Sequence, residues 1–136
     1  MSLTTVAALH FGLPLGRMIP SPWNLAGLLP LLSGVLLNLS ADRGFQRAAI
    51  TVKPFEKSKV LLTQGVFRIS RNPMYLGFIL VMLGTLLLLG STFPWLVLPP
   101  FFMILAVRYV RREEEMLAAI FGPQWQAYKK RTRRWL

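Results

Sequence analysis

The fold is decided by residues 74–107, where the run Met74–Ser91, MYLGFILVMLGTLLLLGS, is followed almost at once by Phe93–Val107, FPWLVLPPFFMILAV. Neither run contains a charged residue. An α-helix rises about 1.5 Å per residue, so the first of these runs, as a helix, reaches roughly 27 Å, close to the thickness of a bilayer's hydrocarbon core. Because so little chain separates the two runs, we predict a tight helical hairpin.

Another apolar run, Pro22–Ala41, precedes the hairpin, and its 20 residues carry no charge until Asp42. This is about the length that a membrane-spanning helix needs. The stretch LTTVAALHFGLPLG, residues 3–16, is apolar but shorter. It therefore either inserts as a truncated helix or lies at the membrane surface. The predicted fold is an all-α polytopic membrane protein with three to four transmembrane helices.

Composition narrows the class of protein further. The chain has 136 residues, of which 54% are hydrophobic and 15% charged, and its net charge is +11. The charge alone would suggest nucleic acid or an anionic membrane, but a chain of this size cannot bury so much apolar surface in one water-soluble core. We therefore expect the lipid bilayer, and no nucleic acid, as a partner. With no cysteine and the single histidine His10, we predict no metal site and no Ser-His-Asp triad.

The positions of the cations predict the topology. Fifteen of the sixteen Lys and Arg residues lie in residues 43–71 or 108–134, and the hairpin returns both segments to one side. The positive-inside tendency makes that side cytoplasmic and the protein a multi-pass membrane protein, with the cytoplasmic membrane as the expected location. The single predicted domain, residues 1–136, then comprises an N-terminal apolar segment (1–21), three spans (22–41, 74–91 and 93–112) and two cytoplasmic segments (42–73 and 113–136).

The residues just before the hairpin have a recognisable local structure. Thr63-Gln64-Gly65 indicates a turn, and Asn72-Pro73 indicates a helix start, with Asn72 capping the free N–H groups and Pro73 at the first helical position. A helix start of this kind that faces a cavity can also bind an anionic group.

The third span ends in Arg111-Arg112-Glu113-Glu114-Glu115, which holds three of the five acids in the chain. Acids this close to a bilayer are costly unless they are paired, and Arg111 has helical spacing to Glu114 and Glu115. A solvated face of salt bridges is the simpler alternative to a functional site here.

Glycines, prolines and aromatic residues predict the remaining details. Two pairs of glycines, each seven residues apart, indicate close helix packing, namely Gly27 with Gly34 and Gly77 with Gly84. Pro99-Pro100 predicts a kink. Gly122-Pro123 predicts the end of one helix and the start of another, and the aromatic and basic residues after it favour a cytoplasmic helix at the membrane interface.

Two spaced motifs bracket the hairpin and carry a family resemblance. The first is T-x-G-x-F-x-x-x-R-N-P-M-Y-L-G over residues 63–77, and the second is E-E-x-x-L-x-x-x-F-G-x-x-W-x-x-Y over residues 113–128. Together they resemble the isoprenylcysteine carboxyl methyltransferase family and its phospholipid-methyltransferase-like bacterial relatives. Asn72 stands where the family more usually has His, and Trp125 replaces the first Tyr of the last motif.

The resemblance implies an integral membrane methyltransferase that uses S-adenosyl-L-methionine in a pocket facing the cytoplasm. By match to the family, the residues that line this pocket are Lys59, Val60, Leu61, Leu62, Phe67, Asn72, Pro73, Met74, Tyr75 and Glu113. An Arg about one turn before the Glu pair helps to hold the substrate in the family. Tyr109 stands at about that offset in this sequence, and its neighbour Arg108 is the candidate.

The chemistry of S-adenosylmethionine suggests roles for the charged residues. Glu113 or Glu114 can hold its ammonium group, and Arg71 or the free N–H groups of the helix start can hold its carboxylate. Tyr75 can pack on the adenine or the methionine chain. Glu114 is the candidate base if the acceptor is an amine or a thiol. Arg71, Arg108 and Glu114 are thus the candidate catalytic residues.

The predicted function is transfer of a methyl group to a lipidic or hydrophobic small-molecule acceptor, whether a carboxylate, an amine or a thiol. Two alternatives stay open from the sequence. One is a non-catalytic membrane protein of the same fold, and the other is a basic membrane-anchored module that binds anionic lipid.

Overall fold

A computed structural model describes residues 2–12, 19–48, 60–90 and 92–136. Within these ranges the chain is helical and contains no strand, which confirms the all-α class. The α-helices are α1 (Ser2–Gly12), α2 (Leu28–Arg47), α3 (Pro73–Leu89), α4 (Leu98–Ile104), α5 (Arg111–Phe121) and α6 (Pro123–Arg131). They are supplemented by 3₁₀ turns at Trp23–Gly27, Gly65–Arg68 and Phe93–Val97 and by a π turn at Leu105–Val110.

One helix in the described ranges is long and apolar enough to cross a bilayer, namely Trp23–Arg47, which joins the first 3₁₀ turn to α2. It begins one residue after the start of the predicted run, Pro22–Ala41, and continues to Arg47. The segment Leu3–Gly12 and helix α3 are apolar but shorter. Most of the large apolar side chains of α2 are exposed, including Leu29 at 75%, so the protein itself leaves that face uncovered.

Helices α2 and α3 pack antiparallel along the four glycines that the sequence singles out. A Cβ atom on Gly27 would lie 2.5 Å from the Gly84 carbonyl oxygen, and one on Gly34 would lie 2.6 Å from the Gly77 carbonyl oxygen. Each glycine of one pair therefore meets a glycine of the other, and the predicted packing role is confirmed. The absence of side chains lets the two backbones approach more closely than other residues allow.

The predicted hairpin is present as a helical structure. Helix α3 begins at Pro73 and ends at Leu89, and the next residue, Gly90, has a φ of 64°, a left-handed conformation that glycine adopts freely. The chain then turns back, and the ring of Tyr109 returns to lie 6.3 Å from the ring of Tyr75 at the start of α3. The two limbs thus bring the start of α3 beside the residues that lead into α5.

The second limb of the hairpin changes helix type twice. The 3₁₀ turn Phe93–Val97 becomes α-helix at Leu98, with Pro99 in the first turn of α4. The kink predicted at Pro99-Pro100 stays a prediction, and the change of helix type lies just before these prolines. The π turn Leu105–Val110 follows, and it was not predicted from the sequence.

Helix α1 packs on the part of the hairpin farthest from Tyr75. Val6 is fully buried and forms a small core with Met82 and Leu86 of α3, against which Trp95 and Phe101 of the second limb pack. The short N-terminal helix therefore shares one apolar core with the hairpin.

Helices α5 and α6 meet at Gly122, whose φ of 48° marks the break, and Pro123 occupies the first turn of α6. The helix end and restart predicted there are confirmed. That α6 lies at the membrane interface stays a prediction. Trp125 and Tyr128 are 2% and 3% exposed, because they face the loop before α3 and form hydrogen-bond and ring contacts there.

Candidate active site

The loop before α3 is held against the C-terminal segment by backbone and hydroxyl hydrogen bonds. The Arg71 amide donates to the Arg133 carbonyl oxygen at 2.9 Å. The hydroxyl of Ser70, which is fully buried, donates to the Arg134 carbonyl oxygen at 3.0 Å and accepts from the Asn72 amide at 3.1 Å. Residues more than sixty positions apart in the sequence thus form one wall of the site.

Glu114 lies at the centre of a group of polar side chains, here called the Glu114 cluster, in which Glu114, Asn72 and Ser70 are buried and Arg134 is 46% exposed. Arg134 donates to both carboxylate oxygens of Glu114, from Nε at 3.2 Å and from Nη2 at 2.7 Å. Arg71 Nη1 lies 3.2 Å from Glu114 Oε1, and Asn72 Nδ2 donates to the same oxygen at 3.4 Å. The side chains of Arg71 and Glu114 are only 7% and 8% exposed, so this ion pair is shielded from solvent.

Two nitrogen atoms of the Arg71 guanidinium donate no hydrogen bond to any described residue. Its Nη1 is close to Glu114 but poorly aligned for a hydrogen bond, and among the described residues neither Nε nor Nη1 has an acceptor. The guanidinium also lies over the Trp125 ring, 5.6 Å from its centroid, which is a favourable cation–π distance. A buried guanidinium with unused N–H groups is suited to receive a planar anion such as a carboxylate.

The prediction that the Asn72 side chain caps α3 is wrong. Asn72 is the residue before the helix, and its carbonyl oxygen accepts the first helical hydrogen bond from Leu76, but its side chain makes no capping bond. The side-chain amide instead donates to Glu114 and to the Arg134 carbonyl oxygen, at 3.4 and 3.3 Å. Two buried acceptors on that side attract the amide away from the helix start.

Tyr75 and Glu113 form a second polar pair beside the Glu114 cluster. The Tyr75 hydroxyl donates to Glu113 Oε2 at 2.9 Å. Burial raises the pKa of Glu113, and the hydrogen bond from Tyr75 offsets part of that increase. Since the structure describes only a neutral hydroxyl donor on Glu113, this carboxylate can still gain from a cation placed against it.

Leu62 and Phe67, two of the predicted lining residues, lie on the α2 side of the loop. Phe67 packs edge-to-face on Phe45 with ring centroids 5.4 Å apart, and both Leu62 and Phe67 line a cavity at the end of α2. The Phe67 carbonyl oxygen accepts a 2.6 Å hydrogen bond from Tyr128. Burial raises the pKa of Tyr128 to about 12, so its hydroxyl stays protonated and keeps donating.

The other predicted site residues have varied positions. Pro73 is buried and Met74 half-buried in the first turn of α3, between the Glu114 cluster and Tyr75. Val60 is exposed and Leu61 half-buried, and Lys59 lies outside the described residues. Arg108 is exposed on the π turn, while its neighbour Tyr109 faces Tyr75. The roles of these residues stay predictions.

Sequence reasoning missed Arg134 and Ser70, which complete the cluster. Arg134 is one of eight cations in residues 108–134, and no spacing in the sequence separates it from Arg133 beside it. The need for a further cation could have indicated Arg134. Two adjacent acids near a bilayer, Glu113 and Glu114, need more cationic partners than the neighbouring residues of their own helix supply. Of the two partners predicted for Arg111, Glu115 is confirmed, at 3.1 Å and in an exposed position, and Glu114 pairs elsewhere.

Among the described residues, no group of three or more His, Cys, Asp or Glu side chains could hold a metal ion.

Comparison with known proteins identifies the family. Residues 23–124 match the model of the phospholipid methyltransferase family, and these residues include α2, the hairpin and α5. An uncharacterized protein of Haemophilus influenzae is 36% identical over 63 residues, which are 46% of this chain and all of that protein.

A second relative is a protein-S-isoprenylcysteine O-methyltransferase of Schizosaccharomyces pombe, 28% identical over 129 residues, or 93% of this chain. The chain spans about half the length of that enzyme, 55% of it. No solved structure matches significantly. Since the family model covers three quarters of the sequence and both relatives align with it, the chain belongs to the phospholipid methyltransferase family.

Proposed function

We propose that the protein is an integral membrane methyltransferase that uses S-adenosylmethionine and methylates a lipidic or hydrophobic acceptor. The observation that carries the proposal is that Glu113, bound by Tyr75, directly precedes Glu114, whose buried partner Arg71 has unused donors. Family membership supports the reaction class.

The charged groups of the site match those of the proposed cofactor. S-Adenosylmethionine carries an ammonium and a carboxylate on one carbon, and it supplies a methyl group activated on a sulfonium. Glu113 would hold the ammonium, and Arg71 would hold the carboxylate through its unused guanidinium N–H groups. The rings of Tyr75 and Tyr109, 6.3 Å apart, offer apolar surface for the adenine or the methionine chain.

The Glu114 cluster has a positioning role in this proposal. Its carboxylate oxygens already accept from Arg134 and Asn72 and face Arg71, so Glu114 is poorly placed to remove a proton from an acceptor. It orients the Arg71 guanidinium instead. A carboxylate acceptor, which needs no base, therefore suits the site better than an amine or a thiol.

We also propose that α3 and the limb 93–112 span the membrane together with Trp23–Arg47, so that the site faces the cytoplasm. The apolar composition of these helices and the clustering of cations beside the site support this topology. An amphiphilic acceptor would then reach Glu113 and Tyr75 laterally from the bilayer.

Binding of S-adenosylhomocysteine to the detergent-solubilised full chain tests the proposal. We expect the ligand to raise the thermal midpoint of the wild-type protein, because a ligand that binds only the folded state stabilises it. The variant Glu113→Gln should weaken binding about tenfold or more, since a charge-assisted hydrogen bond contributes about 1.5–3 kcal/mol.

The matched control is Glu115→Gln, two residues away on the same helix but exposed and paired with Arg111. It should bind like the wild type. No stabilisation of the wild type at millimolar ligand, or equal losses in the two variants, would contradict the proposed cofactor site. Methyl-transfer assays with amphiphilic acids, amines and thiols would then identify the acceptor class.

A further inference from the structure

Arg134 belongs to the Glu114 cluster but is not among the residues proposed to touch the cofactor. Its backbone is anchored, because the Arg134 carbonyl oxygen accepts from the Ser70 hydroxyl at 3.0 Å and from the Asn72 side-chain amide at 3.3 Å. From there its guanidinium donates to both carboxylate oxygens of Glu114. The Arg134 side chain is 46% exposed, so these polar contacts, rather than burial, hold it in place.

The contacts of Arg134 use much of the hydrogen-bonding capacity of Glu114. A carboxylate has two oxygens and about four lone-pair sites. Arg134 Nε binds Oε1 and Arg134 Nη2 binds Oε2, and the Asn72 amide also donates to Oε1, at 3.4 Å. Arg71 Nη1 lies 3.2 Å from Oε1 but makes no aligned hydrogen bond with it. The Glu114 oxygen nearest to Arg71 is therefore already bound by two other donors.

The two guanidinium groups thus compete for one carboxylate, and Arg134 has the better geometry. Arg71 is the more buried of the two, with 7% of its side chain exposed. Its Nε and Nη1 are shielded from solvent and have no acceptor among the described residues. Buried N–H groups without a partner are costly, so a carboxylate placed against them would gain both hydrogen bonds and charge attraction.

We infer that Arg134 is a positioning residue that keeps Arg71 open to a ligand carboxylate, because it occupies Glu114 in place of Arg71. Without the Arg134 side chain, both Glu114 oxygens would lose a donor. Arg71 Nη1 is already within 3.2 Å, so Arg71 would turn onto Glu114 and form the paired fork that guanidinium and carboxylate groups prefer. That the ligand carboxylate is the one of S-adenosylmethionine rests on the function proposed above.

Two ligands that differ only in the carboxylate test this role, namely S-adenosylhomocysteine and its decarboxylated form, which keeps the adenosine and the amine. In Arg134→Gln the detergent-solubilised full chain should bind S-adenosylhomocysteine about tenfold more weakly than the wild type, because its carboxylate loses a charge-assisted hydrogen bond. Affinity for the decarboxylated form should be unchanged. A loss of structure would weaken both ligands, so equal losses would overturn the inference.

Arg133→Gln is the matched control. It removes the same charge from the neighbouring exposed position and keeps the carbonyl oxygen that accepts from the Arg71 amide, so it should bind both ligands like the wild type. Arg134→Lys keeps the charge but lacks the planar fork, and it should lose only part of the affinity for S-adenosylhomocysteine. If Arg133→Gln weakens S-adenosylhomocysteine as much as Arg134→Gln does, the effect is one of net charge and the inference fails.

Competition for Glu114 is also measurable without a cofactor. Arg71→Gln should lower the midpoint of chemical denaturation more in an Arg134→Gln background than in the wild type, because Glu114 then loses both cations. Equal shifts in the two backgrounds would overturn the inference.

The two experiments separate this inference from the proposed function. If the wild type does not bind S-adenosylhomocysteine but the two denaturation shifts differ, the proposed cofactor fails and the competition for Glu114 stands. If the wild type and Arg134→Gln bind S-adenosylhomocysteine equally tightly, the role of Arg134 fails and the proposed function stands.

Discussion

Glu113 and Glu114 are adjacent in the sequence, but the structure gives their carboxylates different partners. Glu114 accepts from Arg134 and Asn72 and faces Arg71, while the partner described for Glu113 is the hydroxyl of Tyr75. One carboxylate is therefore already neutralised by protein cations, and the other is available to a cationic ligand. Consecutive residues on a helix point about 100° apart, which explains how two neighbours can face different surroundings.

The raised pKa of Glu113 predicts a pH dependence for cofactor binding. Only the ionised carboxylate attracts an ammonium, so affinity is full above the raised pKa and is lost as the pH falls through it. The loss should therefore begin at a higher pH than for an ordinary carboxyl group. Dissociation constants for S-adenosylhomocysteine between about pH 5 and 8 measure this. In Glu113→Gln the same profile should be flat, and an unchanged profile would rule out Glu113 as its origin.

Removing the Glu114 carboxylate should destabilise the protein strongly. Glu114→Ala leaves the Arg71 guanidinium buried without its counter-charge, and breaking a buried pair in this way costs about 3–5 kcal/mol. Glu115→Ala breaks only an exposed helical pair and should cost about 0.5 kcal/mol or less. Chemical denaturation in detergent compares the two. Similar midpoints for both variants would mean that the buried cluster contributes little to stability.

At the scale of single residues, the sequence predicts which types of group matter more reliably than what they contact. It identified Arg71, Asn72, Tyr75 and the acid pair, and the structure brings all of them together. The predicted pairing of Arg111 with Glu115 is confirmed, the predicted capping by the Asn72 side chain is wrong, and Arg134 was missed. Local spacing shows what can pair within a helix, whereas Arg134 reaches Glu114 only through the fold.

At the scale of the helices, the apolar runs and the prolines and glycines between them determine where several helices begin and end. Pro73 and Gly90 bound α3, and Gly122 separates α5 from α6, as their conformational preferences predict. The π turn at Leu105–Val110 has no such marker in the sequence. It inserts extra backbone into a mostly apolar helix, and neither the hydrophobic pattern nor helix propensity predicts it.

The contact between α2 and α3 should be sensitive to a single methyl group. In Gly34→Ala the new Cβ would lie 2.6 Å from the Gly77 carbonyl oxygen and 2.8 Å from the Val81 amide nitrogen, both backbone atoms that cannot rotate away. We expect a loss of about 1–3 kcal/mol, as for other overpacked cores. Gly12→Ala in α1, where a Cβ would meet nothing within 4 Å, is the control and should be neutral. Thermal midpoints that fall equally would argue against the glycine contact.

For the molecule as a whole, the absence of cysteine makes the proposed topology easy to test. Thr92→Cys lies at the tip of the hairpin and Lys130→Cys on α6, and both positions are exposed. If the hairpin spans the membrane, an impermeant maleimide added to intact cells should label Thr92→Cys but not Lys130→Cys. Labelling of both only after the membrane is opened would show that the hairpin stays on one side.

The docking of the C-terminal segment on residues 70–72 has a consequence for biosynthesis. The ribosome makes the chain from its N-terminus, so Arg71 and Glu114 exist before Arg133 and Arg134 have been added. Until then the Ser70 hydroxyl lacks its carbonyl acceptor and Glu114 lacks its bidentate partner. The glycine contacts between α2 and α3 need neither Arg133 nor Arg134, whereas the candidate site does, so a chain truncated before residue 133 should keep those helix contacts but leave Ser70 without its acceptor and Glu114 without its bidentate partner.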